Sequence, residues 1–324
     1  IIGDKSLSKR DFRRISDPLE KFGAKLKLKK NKFLPLTILG TKKLRPIRYN
    51  ERNSSAQCKS SVIFAALRTA GTTFIKAKKS RDHTELLCKY LGLPITISKK
   101  KNFDFIKVKK ANKIRPFNYN IPSDMSSAAF FLVLTCLKNN SSILIKNVNV
   151  NPSRIGIIVI LKKMGAKIIF KNKKKYKGEA IADIFVKSTN NLKPINCPKK
   201  LNSSCIDEFL LIFLVAAKAK GVSFFKDLGE LNKKESPRLK WGSKILNLIG
   251  IKTILTNNSI KIFGNPKINF KKKITIKNYL KDHRVFMSSV VAALTFGGEW
   301  HIHDKNSINT SFPNFLKTIE NLKK

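Results

Sequence analysis

The sequence predicts an α/β protein assembled from a repeated unit, and two recurring patterns predict it. In the first, a helix end, a glycine and a strand recur four times: Leu19-Glu-Lys-Phe-Gly23-Ala-Lys-Leu, Lys89-Tyr-Leu-Gly92-Leu-Pro-Ile, Leu161-Lys-Lys-Met-Gly165-Ala-Lys-Ile and Leu246-Asn-Leu-Ile-Gly250-Ile-Lys-Thr. Each glycine fits the position after a helix where the chain turns left-handed. In the second, an Ala/Leu-rich helix runs into a strand, at Ala65–Ile75, Phe130–Ile145, Leu214–Phe225 and Val290–Ile302. Successive glycines of the first pattern lie roughly seventy to eighty-five residues apart, so each repeat holds two helix–strand pairs. Further strands fit between them, at Ala182–Lys187 and around the Asn257-Asn258 turn inside Lys252–Phe263. The unit reads βαβαββ.

Composition sets the bounds. The 324 residues, 42% hydrophobic, suffice for one large or two ordinary domains with real cores. Five scattered cysteines, Cys58, Cys88, Cys136, Cys197 and Cys205, show no CxxC spacing, which fits a reducing compartment and no zinc site. No apolar run reaches the ~18 residues of a membrane-spanning helix. Ile1 opens the chain in what reads as a strand, without an initiator Met, so the sequence is expected to be incomplete at its N-terminus.

The charge is extreme, with 67 Lys+Arg against 20 Asp+Glu for a formal net of +47. Such a balance usually points to phosphate backbones. The excess, however, is nearly all lysine spread along the whole chain, in runs such as Lys171-Asn-Lys-Lys-Lys175 that read as solvated loops. Clustered basic residues with interleaved aromatics are missing, which argues against a nucleic-acid track. Arginines and acids are scarce and sit in short polar clusters beside apolar runs.

Those clusters coincide with helix starts. One set is Ser54-Ser55-Ala56-Gln57, Ser123-Asp124-Met125-Ser126-Ser127, Ile206-Asp207-Glu208 and Asp282-His283-Arg284. The other is Ser80-Arg81-Asp82-His83, Asn151-Pro152-Ser153-Arg154, Lys234-Glu235-Ser236-Pro237-Arg238 and Thr310-Ser311-Phe312-Pro313. Ser, Asp, Asn and Pro are ordinary capping residues there. Arginine is not, because a cation opposes the helix dipole. Arg81, Arg154, Arg238 and Arg284 therefore read as residues held to meet an anion.

The same strings, together with Gly3-Asp-Lys-Ser-Leu-Ser-Lys-Arg10, Ser55-Ala-Gln-Cys-Lys-Ser60 and Ser80-Arg-Asp-His-Thr-Glu85, resemble the 5-enolpyruvylshikimate-3-phosphate (EPSP) synthase family, its bacterial Ser-Ala-Gln subgroup in particular. The likeness runs along the whole chain in the family's order. It implies a two-lobed enolpyruvyl transferase fold of βαβαββ units with the first lobe incomplete: residues 1–121 in that lobe, on the shikimate 3-phosphate side, and 122–324 in the second, with the catalytic carboxylates. It implies transfer of the enolpyruvyl group of phosphoenolpyruvate to the 5-hydroxyl of shikimate 3-phosphate, releasing phosphate, with no metal or organic cofactor. It implies a cytoplasmic enzyme, monomeric as the family typically is, whose partners are the small molecules phosphoenolpyruvate and shikimate 3-phosphate, with no nucleic acid or membrane. The sister transferase acting on UDP-N-acetylglucosamine, which shares the fold, and an inactive remnant are the alternatives, with a basic nucleic-acid-binding protein a remote third.

By motif position, the resemblance gives Asp207 and Glu235 the catalytic roles, Asp207 facing the 5-hydroxyl and Glu235 exchanging a proton with the methylene carbon. Ser55, Ala56, Gln57, Ser80, Arg81, Asp207 and Lys234 would hold shikimate 3-phosphate. Arg10, Gln57, Arg238 and Arg284 would hold phosphoenolpyruvate, with His283 a further candidate. Two doubly anionic substrates need several guanidinium forks, and protonating a vinyl carbon while a hydroxyl attacks its neighbour needs an acid and a base close together. Glu235 and Arg238, three apart, would share a helical face if the helix has begun there.

The chain departs from the family at Asp11, where the family has proline, and similarly at Ser123, Leu210, Phe286 and Pro237. Pro237 replaces an aspartate, which is expected to leave Arg238 less firmly oriented. The family's leading segment, with its Lys-Ser…Arg cluster and Asn-Ala-Gly-Thr loop, has no counterpart in these residues. The 324-residue chain by itself is therefore expected to show no turnover; phosphate release that depends on both substrates would contradict this.

Overall fold

A computed structural model describes residues 1–4 and 7–322. The chain divides into two compact units, one of residues 1–120 with 175–179, the other of 121–174 with 180–324.

In the first unit, helix α1 (Arg13–Lys21) leads to a hairpin of β1 (Lys25–Lys29) and β2 (Phe33–Leu39). Residues 1–4 form no strand of their own, although Ile1 exchanges backbone hydrogen bonds with Leu36 at 2.7 and 2.9 Å. A complete βαβαββ unit follows: β3 (Arg48–Glu51), α2 (Ala56–Leu67), β4 (Thr72–Lys78), α3 (His83–Tyr90), β5 (Ile95–Lys99) and β6 (Phe103–Lys109). Its sheet has the order β3-β4-β6-β5, parallel at the first pair and antiparallel at the others. Alternate residues of β4 and β6, such as Ile75, Ala77, Ile106 and Val108, turn inward and meet Val62, Ile63, Ala66 and Leu67 of α2.

The second unit repeats the theme. It runs through α4 (Met125–Leu137), β7 (Ser142–Asn149), α5 (Gly156–Lys163), β8 (Ile168–Tyr176) and β9 (Glu179–Lys187). Next come α6 (Phe209–Lys218), β10 (Gly221–Phe225), α7 (Arg238–Leu248), β11 (Thr253–Leu255) and β12 (Ile260–Gly264). It ends with β13 (Lys273–Ile276), α8 (His283–Phe296), β14 (Glu299–Ile302) and α9 (Phe315–Asn321). The sheets are β7-β9-β8, β10-β12-β11 and the parallel pair β13-β14. In two of the repeats the leading strand has shrunk to a single parallel bridge, Ser123 to Val148 and Asn196 to Phe224.

The four repeat glycines, Gly23, Gly92, Gly165 and Gly250, have φ of +108°, +64°, +95° and +86°. A side chain there would be strained, which is why the repeat is punctuated by glycine.

Helix α6 organises the second core. Phe209 through Ala217 are all buried, and the helix packs against α4, α5, α7 and α8. A helix that is apolar all round has nowhere to go but the centre. Its polar neighbours are consequently displaced to its N-terminal end. Phe286 and Leu210, departures from the family pattern, are buried members of this core.

Candidate active site

Three helix starts of the second unit converge on one guanidinium. Arg238, the first residue of α7, is only 2% exposed. Its Nε donates to Asp282 Oδ2 at 2.8 Å and its Nη2 to Asp282 Oδ1 at 3.2 Å. Nη2 also donates to Glu235, and Nη1 to Asp207 Oδ1 at 3.3 Å. A buried cation on this scale costs several kcal/mol unless it is paired and hydrogen-bonded, and here carboxylates from three segments supply the pairing.

Asp282 is fully buried and does three things at once. It caps α8 by accepting from Arg284 N at 3.0 Å, it accepts from Ser236 N and Oγ at 3.2 and 2.8 Å, and it holds Arg238. Burial pushes its carboxyl up, but the Arg238 charge and these hydrogen bonds outweigh burial and hold it below the ordinary value. Arg238 responds in kind: burial opposes its charge, and Asp282, Glu235 and Asp207 more than restore it.

Asp207 lies just before α6, where a carboxylate suits the helix dipole. Besides Arg238, its Oδ1 accepts from Lys234 Nζ at 3.2 Å. Its neighbour Glu208 is buried, accepts from Ser126 Oγ at 2.5 Å and lies 3.7 Å from Arg284 Nη1. Burial pushes the Glu208 carboxyl up, against the pull of Arg284. Arg284 Nη1 also donates to the Asp207 carbonyl at 3.1 Å. His283 is partly buried, and burial followed by the Arg284 charge lowers its basicity.

Two expectations are corrected here. Helix α7 begins at Arg238, so Glu235 and Arg238 share no helical face; they meet because Ser236 and Pro237 fold the chain back before the helix, with Pro237 as the capping residue. Losing an aspartate at position 237 does not leave Arg238 loosely held, since Asp282 already grips it through two nitrogens. The arginines near helix starts are held by the protein's own groups. Arg154 Nη2 donates to Asp124 Oδ1 and Ser126 Oγ, both at 2.7 Å, and Arg238 and Arg284 likewise meet the protein's own acids.

The first unit carries the other candidates. Ser55 caps α2, its Oγ accepting from Cys58 N at 3.3 Å, so Ala56 and Gln57 lie in the first turn, with Gln57 exposed. Ser80 and Arg81 lie between β4 and α3. Ser80 Oγ is buried with no hydrogen-bond partner among the described residues. Such an atom suits an acceptor-rich ligand. Arg10 is exposed and follows the short turn Leu7–Lys9. Sequence reasoning overlooked Asp282, Glu208, Ser126 and Ser236 as partners. Their only signal was their place in the same polar strings as the candidates.

The fold is the one seen in enolpyruvyl transferase structures. The fold alone is shared with the enolpyruvyl transferase NikO from Streptomyces tendae, with a TM-score of 0.72 at 15% identity over 98% of this chain and 72% of that one. An EPSP synthase structure from Acinetobacter baumannii matches more closely, with a TM-score of 0.86 at 34% identity over 99% of this chain and 72% of that chain. The 3-phosphoshikimate 1-carboxyvinyltransferase of Petrotoga mobilis is 37% identical across 100% of this chain and 74% of its own length. That of Ruthia magnifica subsp. Calyptogena magnifica is 40% identical across 98% and 71%. The EPSP synthase (3-phosphoshikimate 1-carboxyvinyltransferase) family model matches residues 1–319, and the chain belongs to that family.

Replacing Asp282 by Asn keeps the side chain's shape and removes its charge. Chemical denaturation at pH 7 should show a loss of about 3 kcal/mol, because the buried Arg238 loses its principal counter-ion. Asp282 titrates lower in the folded than in the unfolded state, so its contribution is present above the unfolded value of 3.8 and fades as pH falls through the folded one. The variant's stability should accordingly be less dependent on pH below 3.8 than the parent's.

Proposed function

We propose that the acids and cations described above carry out the family's reaction, transfer of the enolpyruvyl group from phosphoenolpyruvate to the 5-hydroxyl of shikimate 3-phosphate with release of phosphate. The observation that carries this reading is the single Arg238 guanidinium bonded to both Asp207 and Glu235, which keeps two proton-exchanging carboxylates beside one anion-binding group. Asp207 takes the proton of the attacking 5-hydroxyl. Glu235 delivers a proton to the methylene carbon as the new C–O bond forms at the neighbouring carbon, then removes one as the C–O bond to phosphate breaks. Arg238 and Arg284 hold the phosphoenolpyruvate anion, and Lys234 orients the shikimate ring beside Asp207.

Arg238 has a second task in this scheme. Its charge is shared with Glu235 and Asp207 before any substrate arrives, so an incoming carboxylate or phosphate competes with them for the same donors. Substrate binding thereby loosens the hold on both carboxylates and frees them to face the reacting groups. On the first unit, Ser55, Ala56, Gln57, Ser80 and Arg81 take the shikimate 3-phosphate, an assignment supported by the unpartnered Ser80 Oγ. The lysine surplus raises the local concentration of such anions without choosing among them.

The enzyme is further proposed to act as a cytoplasmic monomer. Five buried free thiols suit a reducing compartment, and no helix among the described residues is long and apolar enough to cross a membrane.

Steady-state kinetics on the complete gene product test the assignments. Glu235→Gln should lower kcat by about 10²- to 10⁴-fold, the range for loss of a general acid–base group, with a smaller loss of stability than Asp282→Asn because Asp282 still pairs with Arg238. A kcat within about threefold of the parent, below that range, would remove Glu235 from the chemistry.

A further inference from the structure

Four consecutive residues at the start of α3 are each tied to another part of the first unit. Asp82 accepts from Lys99 Nζ of β5 at 2.9 Å, and His83 Nδ1 lies 2.5 Å from Glu179 Oε1. Thr84 Oγ1 lies 2.6 Å from Ser60 Oγ of α2, and Glu85 Oε1 lies 2.5 Å from Lys59 Nζ of α2. The last of these is unlike the rest. The Lys59 and Glu85 side chains are 0% and 3% exposed, whereas His83 and Lys99 remain well exposed.

A buried ion pair is a poor stabiliser, because desolvation consumes most of its attraction, and this one is incompletely satisfied. Glu85 Oε2 is buried without a hydrogen-bond partner among the described residues, and burial pushes the carboxyl up against the pull of Lys59. Replacing a buried ion pair by well-packed apolar side chains of similar size is often neutral or stabilising. The pair must therefore be judged by what it places. Lys59 stands in the first turn after Ser55, Ala56 and Gln57, and Glu85 in the first turn after Ser80 and Arg81. Joining those two turns sets both groups of candidate ligands in one register.

We propose that Lys59 and Glu85, assisted by Ser60 and Thr84, are positioning residues for shikimate 3-phosphate: their buried link fixes the Ser80-Arg81 segment against the Ser55–Gln57 turn. The proposal rests on the assignment of those five residues to the shikimate phosphate made above. It separates position from stability, since the charged pair acts on the ligand and not on the fold. Ser60 and Thr84 add a second, outer tie along the same seam, so the first turns resist both sliding and rotation.

The test compares three variants of the complete gene product by calorimetric titration with shikimate 3-phosphate, steady-state kinetics and thermal melting. Arg81→Ala checks the underlying assignment and should abolish or severely weaken binding; an unchanged affinity would remove that assignment whatever the pair does. Lys59→Met combined with Glu85→Leu should melt at the parent's temperature or higher. Its dissociation constant and KM for shikimate 3-phosphate should rise about tenfold through misplacement of the ligands, with kcat at saturation and the phosphoenolpyruvate KM unchanged. Ser60→Ala, at a partly buried position, should raise the same constants by a smaller factor. With the Arg81 result as expected, an unchanged shikimate 3-phosphate affinity in the double variant overturns the proposal. So does a fall in melting temperature with a parallel fall in kcat, which would make the pair merely structural.

Discussion

Arg238 is the charge around which the second unit's polar end is built. It is almost wholly buried, and a guanidinium in that position is tolerable only with its hydrogen-bonding fork filled. Asp282 fills it from α8, Asp207 from the approach to α6, and Glu235 from the turn before α7. Taking out any one of these leaves the others bearing more of a charge they also share with neighbours: Asp207 with Lys234, and Asp282 with Ser236 and the backbone of Arg284. The three helix starts are therefore not independent pieces of geometry. They stand where they do because one cation needs them together.

The apolar core makes that gathering possible. Helix α6 is buried on every side, and α4, α7 and α8 pack around it, so their ends cannot wander. Acids before α6 and at the cap of α8 sit favourably in the dipole field of helix N-termini. An arginine at the start of α7 sits unfavourably in the same kind of field, and the adjacent acids correct it. A site rich in charge can thus be carried by a unit whose interior is almost entirely hydrocarbon. Ser126 and Glu208 extend the pattern to α4, linking Arg154 to Arg284 through a hydroxyl and a buried carboxylate.

Much of this was legible in the residues. The four glycines after helices take the left-handed conformation that their spacing implied, and the Ala/Leu-rich helices run into strands where the second pattern put them. Ser55, Asp124 and Asp282 cap the helices they precede. Local chemistry of this kind is visible in sequence because it acts over three or four residues. Pairings across long separations are not. Nothing near Arg238 announces Asp282, which lies 44 residues away, and nothing near Glu85 announces Lys59. Glu235 and Arg238 have helical spacing, yet Pro237 stands outside α7 as its cap, so that spacing carries no shared helical face. The leading strands of two repeats are single bridges, too short to leave a periodic signal. The charge total was legible as a bias but silent on function; the sparse arginines and acids were informative one by one.

The most direct measurement is of the charge state of Asp282 itself. Carbon-13 carboxyl NMR titration of the protein, with the Asp282 resonance identified by its loss in Asp282→Asn, reports the balance between burial and the Arg238 field. A site organised around Arg238 requires Asp282 to remain ionised below the ordinary value of 3.8. A carboxyl that titrates at or above 3.8 would mean that burial dominates, and the convergence of helix starts on Arg238 would need another cause.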